Sequence, residues 1–162
     1  MKRTCLPTAV ILLASLQLAG CSEPLQLSAE EAALFSAVDA AIDSGNPQKE
    51  EVVSAFGLPA ECRQDGCYFD GAALPGFSIG RGNLSSNEQG LVLLLQGFSG
   101  SCIRVDAVRD RFGTEAPEQT CSDGECWGTM ARKPWGVVYF GLDGPDGECA
   151  TEMAINSRYG SL

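Results

Sequence analysis

Histidine is absent from this chain, cations are scarce, and aromatic side chains make up 7% of it. Without histidine, the usual base for a serine or cysteine nucleophile and the commonest imidazole metal ligand are both missing. Gly76-Phe77-Ser78-Ile79-Gly80 spells G-x-S-x-G, but that serine has no histidine to take its proton. The elbow also expects a helix after the serine, whereas Arg81-Gly82-Asn83 leads into another turn. Phe77 and Ile79 read instead as core positions of a strand. Eleven lysines and arginines stand against 21 carboxylates, which excludes a basic footprint for nucleic acid or anionic headgroups. Long hydrophobic runs are also lacking. The longest, Ala9–Leu16, is too short for a membrane span, and Leu91-Val92-Leu93-Leu94-Leu95 is strand-sized.

The amino-terminal run has another reading. Met1-Lys2-Arg3 is a short basic start, the apolar stretch follows, and Leu18-Ala19-Gly20-Cys21 puts small residues before a cysteine. Residues 1–20 therefore read as an export signal peptide. The ending resembles the lipobox of bacterial lipoproteins. That resemblance implies diacylglycerol on Cys21, cleavage before it, and palmitate-type acylation of the new amino terminus. Several acyl chains give firm anchoring where one is marginal. Ser22 lacks the aspartate that the family uses for inner-membrane retention, so the implied address is the periplasmic face of the outer membrane. Lys2 and Arg3 leave with the signal, so nine cations face 21 carboxylates on the remaining 142 residues, a side-chain balance of −12. A polyanion steers toward basic protein partners of the envelope.

Cysteine use fits an oxidising compartment. Cys5 leaves with the signal and Cys21 carries lipid, so Cys62, Cys67, Cys102, Cys121, Cys126 and Cys149 remain. Asp123-Gly124 is a two-residue hairpin signal that places Cys121 opposite Cys126. Such a non-hydrogen-bonded pair brings Cα atoms to about 4.5 Å, which a disulfide accepts. Cys62 and Cys67 share the spacing with a looser loop. Cys102 and Cys149 then pair over a long loop. The C-x4-C spacing is wrong for a zinc knuckle, and no C-x-x-C redox motif occurs. Asp143, Asp146 and Glu148 offer oxygens in a Gly-rich loop, but the calcium-loop order is missing and a hairpin turn explains them equally. No cofactor or metal site and no catalytic residue is assigned.

The remainder predicts an α+β fold. Residues 21–28 form a lipidated tether. Ser28 caps a helix over residues 28–43 with Glu31 completing a capping box, and Pro47 opens a second helix through Phe56. Strands follow over Glu61–Phe69, Gly76–Arg81 and Gly90–Phe98. Residues 102–113 read as a third helix, and strands lie near Glu125–Ala131, Gly136–Leu142 and Cys149–Ile155. Two parts share one order: EEVVSAFG, C-RQDG-C, Tyr68, then VDAVRDRFG, C-SDGE-C, Trp127. This order points to a duplication, a first lobe over 29–100 and a second over 101–158. A helix ending in Val-x-x-x-Phe-Gly-x-Pro (Val52 to Pro59), followed by an antiparallel meander, is similar to the lobe of β-lactamase inhibitory proteins and of the SmpA/OmlA (BamE-like) lipoproteins. That resemblance implies a tandem, disulfide-stapled (BLIP-like) pair of helix-plus-sheet lobes and protein binding rather than chemistry. Gly113 is followed by Thr114-Glu115-Ala116-Pro117 instead of Gly-x-Pro, a departure in the second copy.

Function then reads as a non-enzymatic protein-binding module, an inhibitor or immunity protein against a cationic envelope enzyme. An accessory subunit of an outer-membrane assembly is the alternative, and an enzyme acting on peptidoglycan is a third that only location favours. Lys133-Pro134-Trp135-Gly136 marks Trp135, with Lys133, as the partner-binding candidate, since a tryptophan at a turn is awkward to bury.

Overall fold

The computed structural model describes residues 25–63, 66–120 and 126–158. Helix α1 (Ala29–Ile42) starts as its sequence dictates. Ser28 Oγ accepts from the Glu31 backbone N–H at 3.1 Å, and Glu31 Oε2 accepts from the Ser28 N–H at 2.8 Å. Leu34, Val38 and Ala41 form its buried stripe. Helix α2 (Lys49–Ala55) follows after Gly45, whose φ of 76° suits a residue without Cβ. Pro47 sits one residue before the N-cap, Gln48, rather than inside the helix.

The described residues also form eight strands: β1 (Cys67–Leu74), β2 (Phe77–Asn87), β3 (Gly90–Gly100), β4 (Ile103–Arg104), β5 (Glu118–Gln119), β6 (Trp127–Lys133), β7 (Gly136–Leu142) and β8 (Cys149–Asn156). They make one antiparallel sheet in the order β1-β2-β3-β8-β7-β6-β5, with β4 also paired to β8. Two three-stranded meanders, β1-β2-β3 and β6-β7-β8, thus meet edge to edge where β3 pairs with β8. Helix α3 (Val105–Phe112) lies between them in the chain.

Register puts the core on one face. One row across six strands reads Cys67–Leu84–Leu93–Ile155–Val138–Ala131, and the next Phe69–Gly82–Leu95–Met153–Phe140–Thr129. Nearly all of these are fully buried, in one cluster with the apolar stripes of the three helices. Phe112 joins the layers, stacked on Phe140 at 5.5 Å and edge-on to Phe35 at 5.2 Å.

Two predicted elements come out differently. The stretch beginning at Glu61 is not a strand until Cys67. Residues Ala60–Arg63 form a 3-10 turn, with the Cys62 N–H bonded to the Pro59 carbonyl, so the Cys62–Cys67 bond (Cα–Cα 5.0 Å) ties that turn to β1 instead of closing a hairpin. The third helix starts at Val105 rather than Cys102, because Ile103 and Arg104 are drawn into the sheet opposite Ala150 and Cys149. The Cys102–Cys149 disulfide, with Cα atoms 5.2 Å apart, lies beside that pairing. Cys126 is disulfide-bonded as well. Its expected partner Cys121, the Asp123-Gly124 turn, the signal peptide and Cys21 lie outside the described residues.

Candidate functional site

Helices cover one face of the sheet, and among the described residues no helix lies over the other, as a single antiparallel sheet permits. On the open face, the row between the two core rows reads Tyr68–Asn83–Leu94–Ala154–Tyr139–Met130. At about 4.8 Å between strands, six strands span about 24 Å. Flanking it on one side is Asp70–Arg81–Gln96–Glu152–Gly141–Gly128, and on the other Ser85–Val92–Asn156–Val137–Arg132. An apolar band with polar borders results. Tyr68, 86% exposed, stands at its outer end.

The band holds two depressions. One, of about 390 Å³, lies over Ala154 and is walled by Met130, Val137 and Tyr139, with Arg132 and Glu152 at its margins. The other, about 380 Å³, lies between Tyr68 and Leu94. Their shapes follow from small residues. Tyr139 lies flat over Gly128, where a Cβ would strike its ring, and Glu152 lies over Gly141 in the same way. The Tyr139 hydroxyl donates to the Trp127 carbonyl at 3.2 Å and is 3.3 Å from the Thr120 hydroxyl. Burial raises the Tyr139 pKa, the Thr120 hydrogen bond opposes that, and the Glu152 carboxylate adds to it. The ring therefore stays a neutral apolar wall at physiological pH. Between the depressions runs a fixed polar chain: Arg81 Nε donates to Gln96 Oε1 at 3.1 Å, and Gln96 Nε2 donates to Glu152 Oε2 at 2.7 Å.

The predicted site residues fall elsewhere. Trp135 sits in the β6–β7 turn, partly buried against the core, and Lys133 Nζ reaches the Phe112 carbonyl at 3.5 Å. Neither belongs to the open band. Ser78 is the second residue of β2, beside the β1–β2 turn, its hydroxyl 2.7 Å from that of Ser99, and strand rather than helix follows it. Cys62, Cys67, Cys102, Cys126 and Cys149 are consumed in disulfides and so offer no thiolate. Among the described residues no cluster of acidic or thiol groups has metal-binding geometry.

A second feature was hidden in the sequence: Glu31. Its side chain is 0% exposed, yet every lone pair finds a donor. Oε1 accepts from the Arg104 backbone N–H at 3.0 Å and from Nε at 2.8 Å, and Oε2 accepts from Arg104 Nη2 at 2.9 Å as well as from Ser28. The Arg104 guanidinium is the main reason its carboxyl titrates below the usual range, against the opposing effect of burial. Arg104 Nη2 also donates to the Gln26 carbonyl at 2.9 Å. One carboxylate thus locks the tether-side end of α1 to the start of α3.

No family model, no curated protein and no solved structure matches this chain.

Proposed function

We propose that this chain is an outer-membrane lipoprotein, anchored through Cys21 on the periplasmic face, whose folded part binds another protein on the open face of its sheet. The observation that carries this reading is the band of Tyr68, Leu94, Ala154, Tyr139 and Met130, left uncovered by any helix among the described residues. An uncovered apolar surface with polar borders is the anatomy of an interaction site. The acidic balance of the chain favours a basic partner, and the role that fits best is inhibitor or immunity protein for a cationic envelope enzyme.

We further read the body as two tandem lobes of the BLIP-like kind. Three observations support it. The meanders meet antiparallel at β3 and β8, as a two-fold duplication requires. The first hairpin of each is closed by a two-residue turn beginning with proline, Pro75 between Leu74 and Phe77 and Pro134 between Lys133 and Gly136. In each a half-cystine stands eight residues before the turn's proline and an aromatic follows it, Cys67-Tyr68 and Cys126-Trp127.

The test is a pull-down from an envelope extract with residues 22–162. A stoichiometric basic partner that loses enzymatic activity on binding supports inhibition. Co-purification with outer-membrane machinery replaces that role with the assembly alternative. Release of muropeptides by the pure protein would overturn both.

A further inference from the structure

The first described residues are not a loose leash. Leu25 packs against the core, the Gln26 carbonyl is held by Arg104, and Ser28 is locked into the capping box. Taking the anchor at Cys21 from the reading above, four residues and so five Cα–Cα steps separate the lipidated cysteine from Gln26. Fully extended they reach about 18 Å, whatever path they take.

That attachment point lies at one end of the strands. Around it gather the β1–β2 turn, where a side chain at Gly76 would run into Glu30, and the β3–β4 link, with Cys102 bonded to Cys149. The β7–β8 loop joins them, with the Glu148 carbonyl accepting from the Val105 N–H at 2.9 Å. Exposed charge at this end is mostly negative: Asp106, Asp143, Asp146 and Glu148 against Arg109. Helix α1 and the strands β2 and β3 run from here to the opposite end, where residues 46–48 meet the β2–β3 turn and Ser157.

We infer that the body stands upright on the membrane: the end carrying Glu30, Cys102 and Glu148 faces the leaflet, the β2–β3 and β6–β7 turns point away, and the open band faces sideways. The short clamped tether sets which end is near. Anionic headgroups repel the acidic character of that end, and the short tether holds it near the leaflet against that repulsion. A partner then reaches the band from the periplasm without displacing lipid.

The chain carries its own ruler in its two tryptophans. Trp127 lies in the row Trp127–Leu142–Ala150–Ile103 next to the tether end, and Trp135 is in the far turn. Six steps of β6 carry the chain from Trp127 to Lys133 at the edge of the turn that holds Trp135, about 20 Å at 3.3 Å per residue. The lipidated mature protein, residues 21–162, is placed in phosphatidylethanolamine–phosphatidylglycerol vesicles containing a dansyl headgroup acceptor. Energy transfer is then measured for Trp135→Phe, which leaves Trp127, and Trp127→Phe, which leaves Trp135. Transfer from Trp127 should be severalfold the stronger. If Trp127→Phe does not fold, Trp135→Phe against the wild type suffices, because removing the far donor should raise mean transfer. Lengthening the tether by about a dozen Gly/Ser residues after Ser22 should largely erase the asymmetry, since a flexible linker relaxes the constraint. Equal or reversed transfer in the native tether overturns the orientation. Asymmetry that survives lengthening overturns the tether as its cause. Protein that does not float with vesicles removes the anchor itself, and this inference with it, so the two failures are distinguishable.

Discussion

The two faces of the sheet are built from the same strands and do opposite things. Leu93 and Leu94 are neighbours in β3, yet Leu93 is fully buried under the helices and Leu94 is half-exposed in the open band. The covered face is filled by large residues in consecutive rows, Leu84–Leu93–Ile155–Val138 and Leu95–Met153–Phe140. The open face alternates large with small, Tyr139 over Gly128 and Leu94 beside Ala154, and so keeps hollows. Close packing serves stability on one side. Unfilled relief on the other is what the proposed partner would complement.

The comparison is sharpened first by weakening what both faces share. Replacing Cys102 and Cys149 with serine opens a loop of sequence separation 47, against 5 for Cys62 and Cys67. On the chain-entropy model the losses are about 4 and about 2 kcal/mol. Urea melts should show the larger drop for the first pair; equal drops would show that the long-range bond does not constrain the unfolded chain. Next, Leu93→Ala should cost roughly 3 kcal/mol through the cavity it leaves, while Leu94→Ala costs about 1 kcal/mol or less. Similar costs would mean that the open face is covered in solution, for instance by a second copy.

How far was this legible in the residues? Ser28 and Glu31 announced α1 with its cap, and strand β7 came out with its predicted bounds, Gly136–Leu142. Asn87–Gly90 made its turn, with Asn87 Oδ1 accepting from the Gln89 N–H. The pairing of Cys102 with Cys149 followed from spacing. What could not be read was the pairing of β3 with β8, because sequence periodicity assigns faces and not neighbours. Leu91–Leu95 did hold a signal for the open band. Five apolar residues in a row on an antiparallel strand require something apolar on both faces, and among the described residues Val92 and Leu94 have no helix over them. Glu31 was invisible as a core residue for another reason. A glutamate in a helix's first turn usually serves cap and dipole on the surface, and only the distant Arg104 makes its burial tolerable.

Among the described residues Glu31 is also the one fully buried charged side chain, and it gives a pH signature. Its carboxyl is depressed in the folded state from an ordinary 4.5, so its contribution is fully present above about that value and is lost as pH falls through the lower folded value. Glu31→Gln keeps the shape and removes the charge, and should cost about 2 kcal/mol at neutral pH. The gap between variant and wild type should close on acidification below pH 4.5. A gap constant from pH 7 down to the acid transition would mean that the carboxylate carries no folded-state advantage.

The smallest expected effect on stability is the most discriminating for the open face. Ala154→Tyr fills the hollow between Leu94 and Tyr139 without touching the helices. Substitutions away from packed features shift stability by about 0.5 kcal/mol either way, so its melting curve should overlay that of the wild type. Binding should not survive, because the added ring occupies the volume that a partner side chain would need. A melting temperature lowered as far as by Leu93→Ala would mean that the hollow is internal packing space. A variant that folds normally and still takes its partner from the extract at full stoichiometry would show that contact is made elsewhere, and the relief of the band would need another cause. Unchanged stability with lost binding is the combination that only an open, working surface produces.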